Sequence, residues 1–150
     1  MPHIFVDTGA WYALPDISDA NHRAAAKFKD SLARPLMTSN YVVDAVITLV
    51  RNRLGYKVAI DIGQKLWGKS IANLIRVMLR DEIKAWDVFV QYCDKNLSFT
   101  DCTSFALVKR IGITAVFAFD EHFKQHGSFI GLPLARRMYL SRAGVGNGDR

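Results

Sequence analysis

The chain has 150 residues, the size of one domain, and no break in composition divides it. Half of the residues are hydrophobic, enough to bury a single core and too many for a disordered chain. Lys and Arg exceed Asp and Glu by 20 to 14, a net charge of +6 that favours phosphate backbones without proving a nucleic-acid partner.

The longest nearly apolar stretch, Ile111 to Phe119, falls far short of the roughly 20 residues that cross a bilayer. The start, Met1-Pro-His-Ile-Phe-Val-Asp7, has neither the basic head nor the apolar run of a secretion signal, so a cytoplasmic location without membrane contact is expected. Cys93 and Cys102 lie in helix-like segments with no CxxC spacing and read as buried thiols rather than zinc ligands.

In chain order, His3 to Val6 is a short β-prone run that delivers Asp7 at its carboxyl end. Asp19 is placed to cap a helix through Ala24, Ala25, Phe28 and Leu32, which the Arg34-Pro35 step closes. Leu36 and Met37 form a second strand. Thr38, Ser39 and Asn40 can cap a long helix in which Val42, Val43, Val46, Ile47, Val50 and Leu54 recur at helical spacing until Gly55. Val58 to Trp67 reads as a third helix and Leu74 to Leu79 as a strand. A fourth helix follows, with Ile83, Trp86, Val90 and Cys93 sharing its apolar face.

Thr100 is a cap candidate for the next helix and puts Asp101 in its first turn, where the macrodipole favours negative charge; Gly112 ends that helix. Thr114 to Phe119 is a buried strand with Asp120 directly after it, repeating the pattern of Asp7. Beyond Phe129, Pro133, Arg136 and Arg137 read as an irregular basic end. Residues 1–140 are taken as the domain and 141–150 as a frayed tail. Alternating strands and helices predict an α/β fold, a mostly parallel sheet with helices on both faces, whose sites form beyond the carboxyl ends of its strands.

One carboxylate at a strand end can simply cap a turn. Asp7, Asp101 and Asp120 come from three separate elements, and carboxylates gathered together stay ionised mainly when a cation neutralises them. Oxygen ligands favour magnesium or manganese over zinc, with water and phosphate completing the shell. Such a site can orient a water for attack on phosphorus, which points to phosphodiester hydrolysis.

Four stretches carry a resemblance that covers nearly the whole chain. They are Phe5-Val-Asp-Thr-Gly-Ala-Trp-Tyr-Ala-Leu14, Thr38-Ser-Asn-Tyr-Val-Val-Asp-Ala-Val-Ile-Thr-Leu49, Leu97-Ser-Phe-Thr-Asp-Cys-Thr-Ser-Phe-Ala106 and Ala118-Phe-Asp-Glu-His-Phe123. In this order and separation they resemble the PIN-domain ribonucleases, and among them the VapC toxins of toxin–antitoxin pairs. The resemblance implies a PIN-like fold, magnesium or manganese held by Asp7, Asp101 and Asp120, and cutting of single-stranded or looped RNA such as tRNA or rRNA. It also implies a homodimer and a VapB-type antitoxin that blocks the site.

The family's second acid is absent: Ala45 stands where its Glu is expected, leaving Asp44 beside it. Adjacent helical residues point about 100° apart, so Asp44 does not replace a side chain at position 45. Either Ala45 is an engineered Glu-to-Ala change that disarms a toxin, or the chain is a natural, weakened relative; the intact remainder of the pattern speaks for the first. A non-catalytic RNA- or protein-binding PIN domain is the rival reading. A phosphoryl-accepting Asp7 is a weaker one, because Thr8 and Gly9 follow it rather than a second acid.

Arg51, Arg53 and Lys57, with Lys65 and Lys69, are candidates to line a path for RNA phosphates, although basic residues at a helix end also serve solubility. His22, His122 and His126 lack metal-like spacing. Trp11, Tyr12, Trp67 and Trp86 have apolar neighbours at core periodicity and read as packing residues.

Overall fold

The computed structural model describes residues 3–31, 35–113, 115–119, 129–132 and 138–141. Its strands are β1 (Ile4–Val6), β2 (Leu36–Ser39), β3 (Asn73–Ile75), β4 (Ala115–Phe117), β5 (Phe129–Leu132) and β6 (Met138–Ser141). The helices are α1 (Thr8–Ala13), α2 (His22–Ser31), α3 (Asn40–Leu54), α4 (Tyr56–Trp67), α5 (Leu79–Gln91) and α6 (Phe99–Ile111). One sheet runs β3-β2-β1-β4-β6-β5, parallel through β4 and antiparallel in β6 and β5.

Every residue of β1 and of β4 is buried. Successive strand residues point to opposite faces, so both faces of the central sheet are covered, the expected α/β arrangement. Phe28 of α2 stacks on Phe117 with ring centroids 4.2 Å apart, and Trp11 of α1 is fully buried in the same core. Helix α3 buries Val42, Val43, Val46 and Val50, as its spacing predicts, and packs against α1, α4 and α6. A Cβ added at Gly63 of α4 would stand 3.3 Å from Ile47, so glycine there permits the close approach of α3 and α4. Gly112 adopts a left-handed conformation, φ +70°, and ends α6.

The structure departs from the sequence reading in several places. Helix α1 was not expected. Asp19 accepts a hydrogen bond from the Asn21 amide, forming a turn ahead of α2 rather than its cap. The third strand ends at Ile75, and Leu79 opens α5 instead of closing a strand. Part of the carboxyl-terminal segment pairs as β5 and β6 instead of running irregularly. Leu32, Arg34, Pro133, Arg136, Arg137 and the tail at 142–150 lie outside the described residues.

Helix α5 inverts its expected orientation. Ile83, Trp86 and Val90 are 57, 57 and 55% exposed, while Asp81 and Ala85 are buried. The buried face is held by charge. Arg110 of α6 grips the Asp81 carboxylate from Nε at 2.7 Å and Nη2 at 2.9 Å, and the Met78 amide donates to the same group. Burial pushes the Asp81 carboxyl upward, but the hydrogen bonds from Arg110 and Met78 outweigh it and leave the carboxyl below its ordinary value. Among the described residues no helix is long and apolar enough to cross a membrane.

Removing one partner of such a pair strands the other charge in the interior. Arg110→Ala is expected to lower folding stability by about 3 kcal/mol or more, read by urea denaturation. Because the folded carboxyl is depressed, its contribution is present above about pH 4 and lost as pH falls through the folded value. The wild type should therefore lose more stability on acidification than Arg110→Ala does.

Candidate active site

Asp7 stands at the carboxyl end of β1, where its amide donates to the Phe117 carbonyl at 3.0 Å across the parallel ladder. Its backbone opens α1, with the Asp7 carbonyl accepting from the Ala10 and Trp11 amides, yet its side chain makes no capping bond to that helix. The residue is only 3% exposed. A carboxylate withdrawn from water costs free energy unless something answers its charge, and the simple alternative, a cap on the following turn, does not hold here.

The second component comes from β2. The pairing of Phe5 with Met37, extended two places, sets Asp7 level with Ser39. Ser39 caps α3 by accepting from the Val42 amide at 3.1 Å, and the Asn40 side chain accepts from the Val77 amide, pinning the start of α3 to the exit of β3. Ala45 lies on α3 half-buried and Asp44 is exposed.

The first turn of α6, which holds Asp101, packs against the first turn of α3. Phe99, in the same first turn of α6, meets Tyr41 of the first turn of α3 edge-on at 6.1 Å. Tyr41 in turn donates its hydroxyl to Glu82 of α5, a bond that together with burial raises the phenol above its ordinary pKa. The cap of α6 is Ser98 rather than Thr100: the Asp101 amide donates to Ser98 Oγ at 3.0 Å and the Ser98 amide donates to Asp101 Oδ2 at 3.1 Å. Asp101 thus belongs to a reciprocal capping box, and one of its oxygens has a structural task.

Asp120 lies outside the described residues, as do His122 and His126. Phe119 is the last described residue before Asp120, and β4 ends two residues earlier at Phe117, beside the end of β1. Among the described residues no group of three His, Cys, Asp or Glu side chains is arranged to hold a metal ion. Three buried hydroxyls have no partner among the described residues: Thr8 Oγ1, next in sequence to Asp7, Thr38 Oγ1, next to Ser39, and Ser104 Oγ, one turn after Asp101. Buried hydroxyls normally find partners, so these three have hydrogen-bonding capacity that the described side chains and backbone leave unused. The sequence reading missed them, although the three-residue spacing of Asp101 and Ser104 marks a shared helix face.

The basic candidates lie in the last turn of α3 and at the start of α4. Arg51 lies over the Tyr56 ring at 5.4 Å and Arg53 over Tyr12 at 5.2 Å; both, like Lys57, are exposed. Beneath Arg51 a groove of about 340 Å³ between α3 and α4 is lined by Ile47, Tyr56, Ala59, Ile60 and Gly63, without a carboxylate. Trp11 and Tyr12 are core residues as expected, whereas Trp67 and Trp86 are exposed. His22 donates from Nδ1 to the Ala13 carbonyl, a packing role.

A family model described as PIN domain matches residues 4–128. The 23S rRNA-specific endonuclease VapC20 of Mycobacterium tuberculosis is 34% identical over 124 residues, spanning 83% of this chain and 94% of the relative. The crystal structure of that VapC20, described as a sarcin–ricin loop cleaving toxin, superposes with a TM-score of 0.77 at 33% identity, covering 83% of this chain and 95% of the other. FitAcB from Neisseria gonorrhoeae shares the fold at a TM-score of 0.57 and 15% identity, over 79% of this chain and 88% of that one.

Both cysteines are free thiols, but only Cys102 is buried; Cys93 is exposed, against expectation. Burial, with the neighbouring Asp101 charge, pushes the Cys102 thiol up to about 11, so it is protonated at neutral pH and unsuited to nucleophilic chemistry. A thiol-reactive chromophore should label Cys93 quickly in the native protein and Cys102 only after denaturation. Fast native labelling of both would contradict this arrangement.

Proposed function

The chain belongs to the PIN-domain family and, within it, to the VapC-type toxins; from that premise we propose that it is a metal-dependent endoribonuclease weakened at its acid site by Ala45. The observation that carries the reading is Asp7, a buried carboxylate at the end of β1 whose side chain does not cap the helix it opens. Asp7, Asp101 and Asp120 are the residues that would hold Mg²⁺ or Mn²⁺. The oxygen-only donor set and the idle hydroxyls of Thr8 and Ser104 suit a hard, hydrated cation.

Such an ion, when bound, lowers the pKa of its water and offsets charge on the phosphate. The chain's own residues supply the rest. Asp7 and Asp101 fix the direction of negative charge, Asp101 being oriented by Ser98, and the hydroxyls of Thr8 and Ser104 offer hydrogen bonds to ordered water. Arg51, Arg53 and Lys57 offer guanidinium and ammonium groups to RNA phosphates. The substrate is structured RNA: rRNA is the first choice, since the relative is named for 23S rRNA, and tRNA the second. A VapB-type antitoxin and a homodimer complete the assembly.

The absent acid at position 45 favours one second reading, a PIN domain that binds RNA or protein without cutting. Ala45→Glu separates the two. It should raise Mg²⁺- or Mn²⁺-dependent RNA cleavage by about tenfold or more and increase the thermal shift produced by Mn²⁺. Asp7→Asn in that background should remove both gains. RNA binding with no cleavage in Ala45→Glu would establish the non-catalytic reading. Separately, Arg51→Glu should weaken RNA binding and shallow its salt dependence by about one unit of slope.

A further inference from the structure

Between Asp61 and Asp81 the chain carries four cations, Lys65, Lys69, Arg76 and Arg80, and no acidic residue. The same stretch holds an exposed tryptophan. Leu66 is fully buried and anchors the last turn of α4, so at about 100° per residue Trp67 turns outward, and it stands 45% exposed. Arg76 places its guanidinium over that ring, 5.5 Å from the centroid, and is in no salt bridge among the described residues. The pair therefore has both ring surface and guanidinium N–H groups to offer a ligand.

The fold ties this pair to the sheet edge that carries Asp7. The ladder between β2 and β3 sets Ile75 level with Ser39, which is itself level with Asp7, so Arg76 leaves β3 one residue beyond that line. Two strand spacings, about 10 Å, separate β3 from β1. The Arg76 backbone is fixed on both sides: its carbonyl accepts from Arg110 Nη2 at 3.4 Å, and the Val77 amide donates to the Asn40 side chain at 2.7 Å. The turn after Trp67 is equally constrained. A Cβ at Gly68 would stand 2.6 Å from the Gln64 carbonyl oxygen, and Lys69, exposed, takes a positive φ of 58° that glycine usually fills.

We propose that Trp67 and Arg76 form a stacking subsite for one unpaired RNA base, with the indole against the base and the guanidinium on the adjoining phosphate. The inference rests on the RNA-cutting reading given above and adds to it a means of choosing the substrate. An indole face accepts any base, but only one that is free of its own helix. Looped or single-stranded RNA gains this contact and a duplex does not. An acidic peptide would use the four cations without the indole, and the exposed ring among them favours a nucleotide.

The test is RNA binding by the full chain in the presence of EDTA, which separates binding from cleavage, with circular dichroism and melting to confirm folding. The probes are a stem–loop RNA and a fully paired RNA duplex of the same length. Trp67→Ala should weaken stem–loop binding by about tenfold, leave its salt slope unchanged and narrow the preference over duplex. Trp67→Phe keeps an aromatic face and should restore most of the affinity. Arg76→Gln should weaken binding and shallow the slope by about one unit. Stem–loop binding indifferent to Trp67→Ala, or a Trp67→Phe no tighter than Trp67→Ala, would overturn the proposal, assign the patch to an acidic protein segment and leave the nuclease reading standing. A wild type that binds neither RNA would sink both.

Discussion

The hydrogen bond from the Asp7 amide to the Phe117 carbonyl sets the position of the first acid, and the rest of the edge is arranged around it. It extends a parallel ladder in which Ile4, Phe5 and Val6 meet Ala115, Val116 and Phe117. Side chains alternate along a strand, so a slip of one residue would send the Asp7 carboxylate to the opposite face and bury it against apolar neighbours. The stacking of Phe28 on Phe117 and the burial of Trp11 of α1 in the same core oppose that slip. The core therefore does more than stabilise the domain: its register fixes the chemistry available at the sheet's rim.

Position 45 tests that rim from the other side. Ser39 and Asn40 anchor the start of α3 firmly, through the Val42 and Val77 amides, so the helix that carries Ala45 is held in place by its own caps. Asp44 is exposed one residue earlier, and moving it into the position of 45 would require rotating a helix that buries four valines. A change of side chain at position 45 therefore acts locally, on a helix already fixed by its cap and its buried valines.

Much of this was legible in the residues. The spacing of Val42, Val43, Val46 and Val50 specified α3, and the carboxyl-terminal placement of Asp7 after β1 followed from an apolar run meeting Asp-Thr-Gly. Where the reading failed, a physical ambiguity was responsible. The stripe of Ile83, Trp86 and Val90 in α5 has perfect helical periodicity, but periodicity shows only that a face is apolar, not whether its own domain covers it. Nothing in the sequence near Asp81 revealed that Arg110, 29 residues later, would satisfy its charge and turn that side inward. Ser98 and Thr100 are both acceptable caps; the reciprocal bonds with Asp101, three residues on, select Ser98. Helix α1 escaped notice because six residues are too few to display a period, and the basic end concealed two strands because pairing partners so short carry little pattern of their own.

The two ends of the α5 and α6 hairpin are fastened by different forces: the Asp81–Arg110 ion pair near one, and the contacts of Phe99 with Trp86 and Phe89 near the other. The outer face of α5 is thereby joined, through Trp86 and Phe89, to the first turn of α6, the turn that carries Asp101.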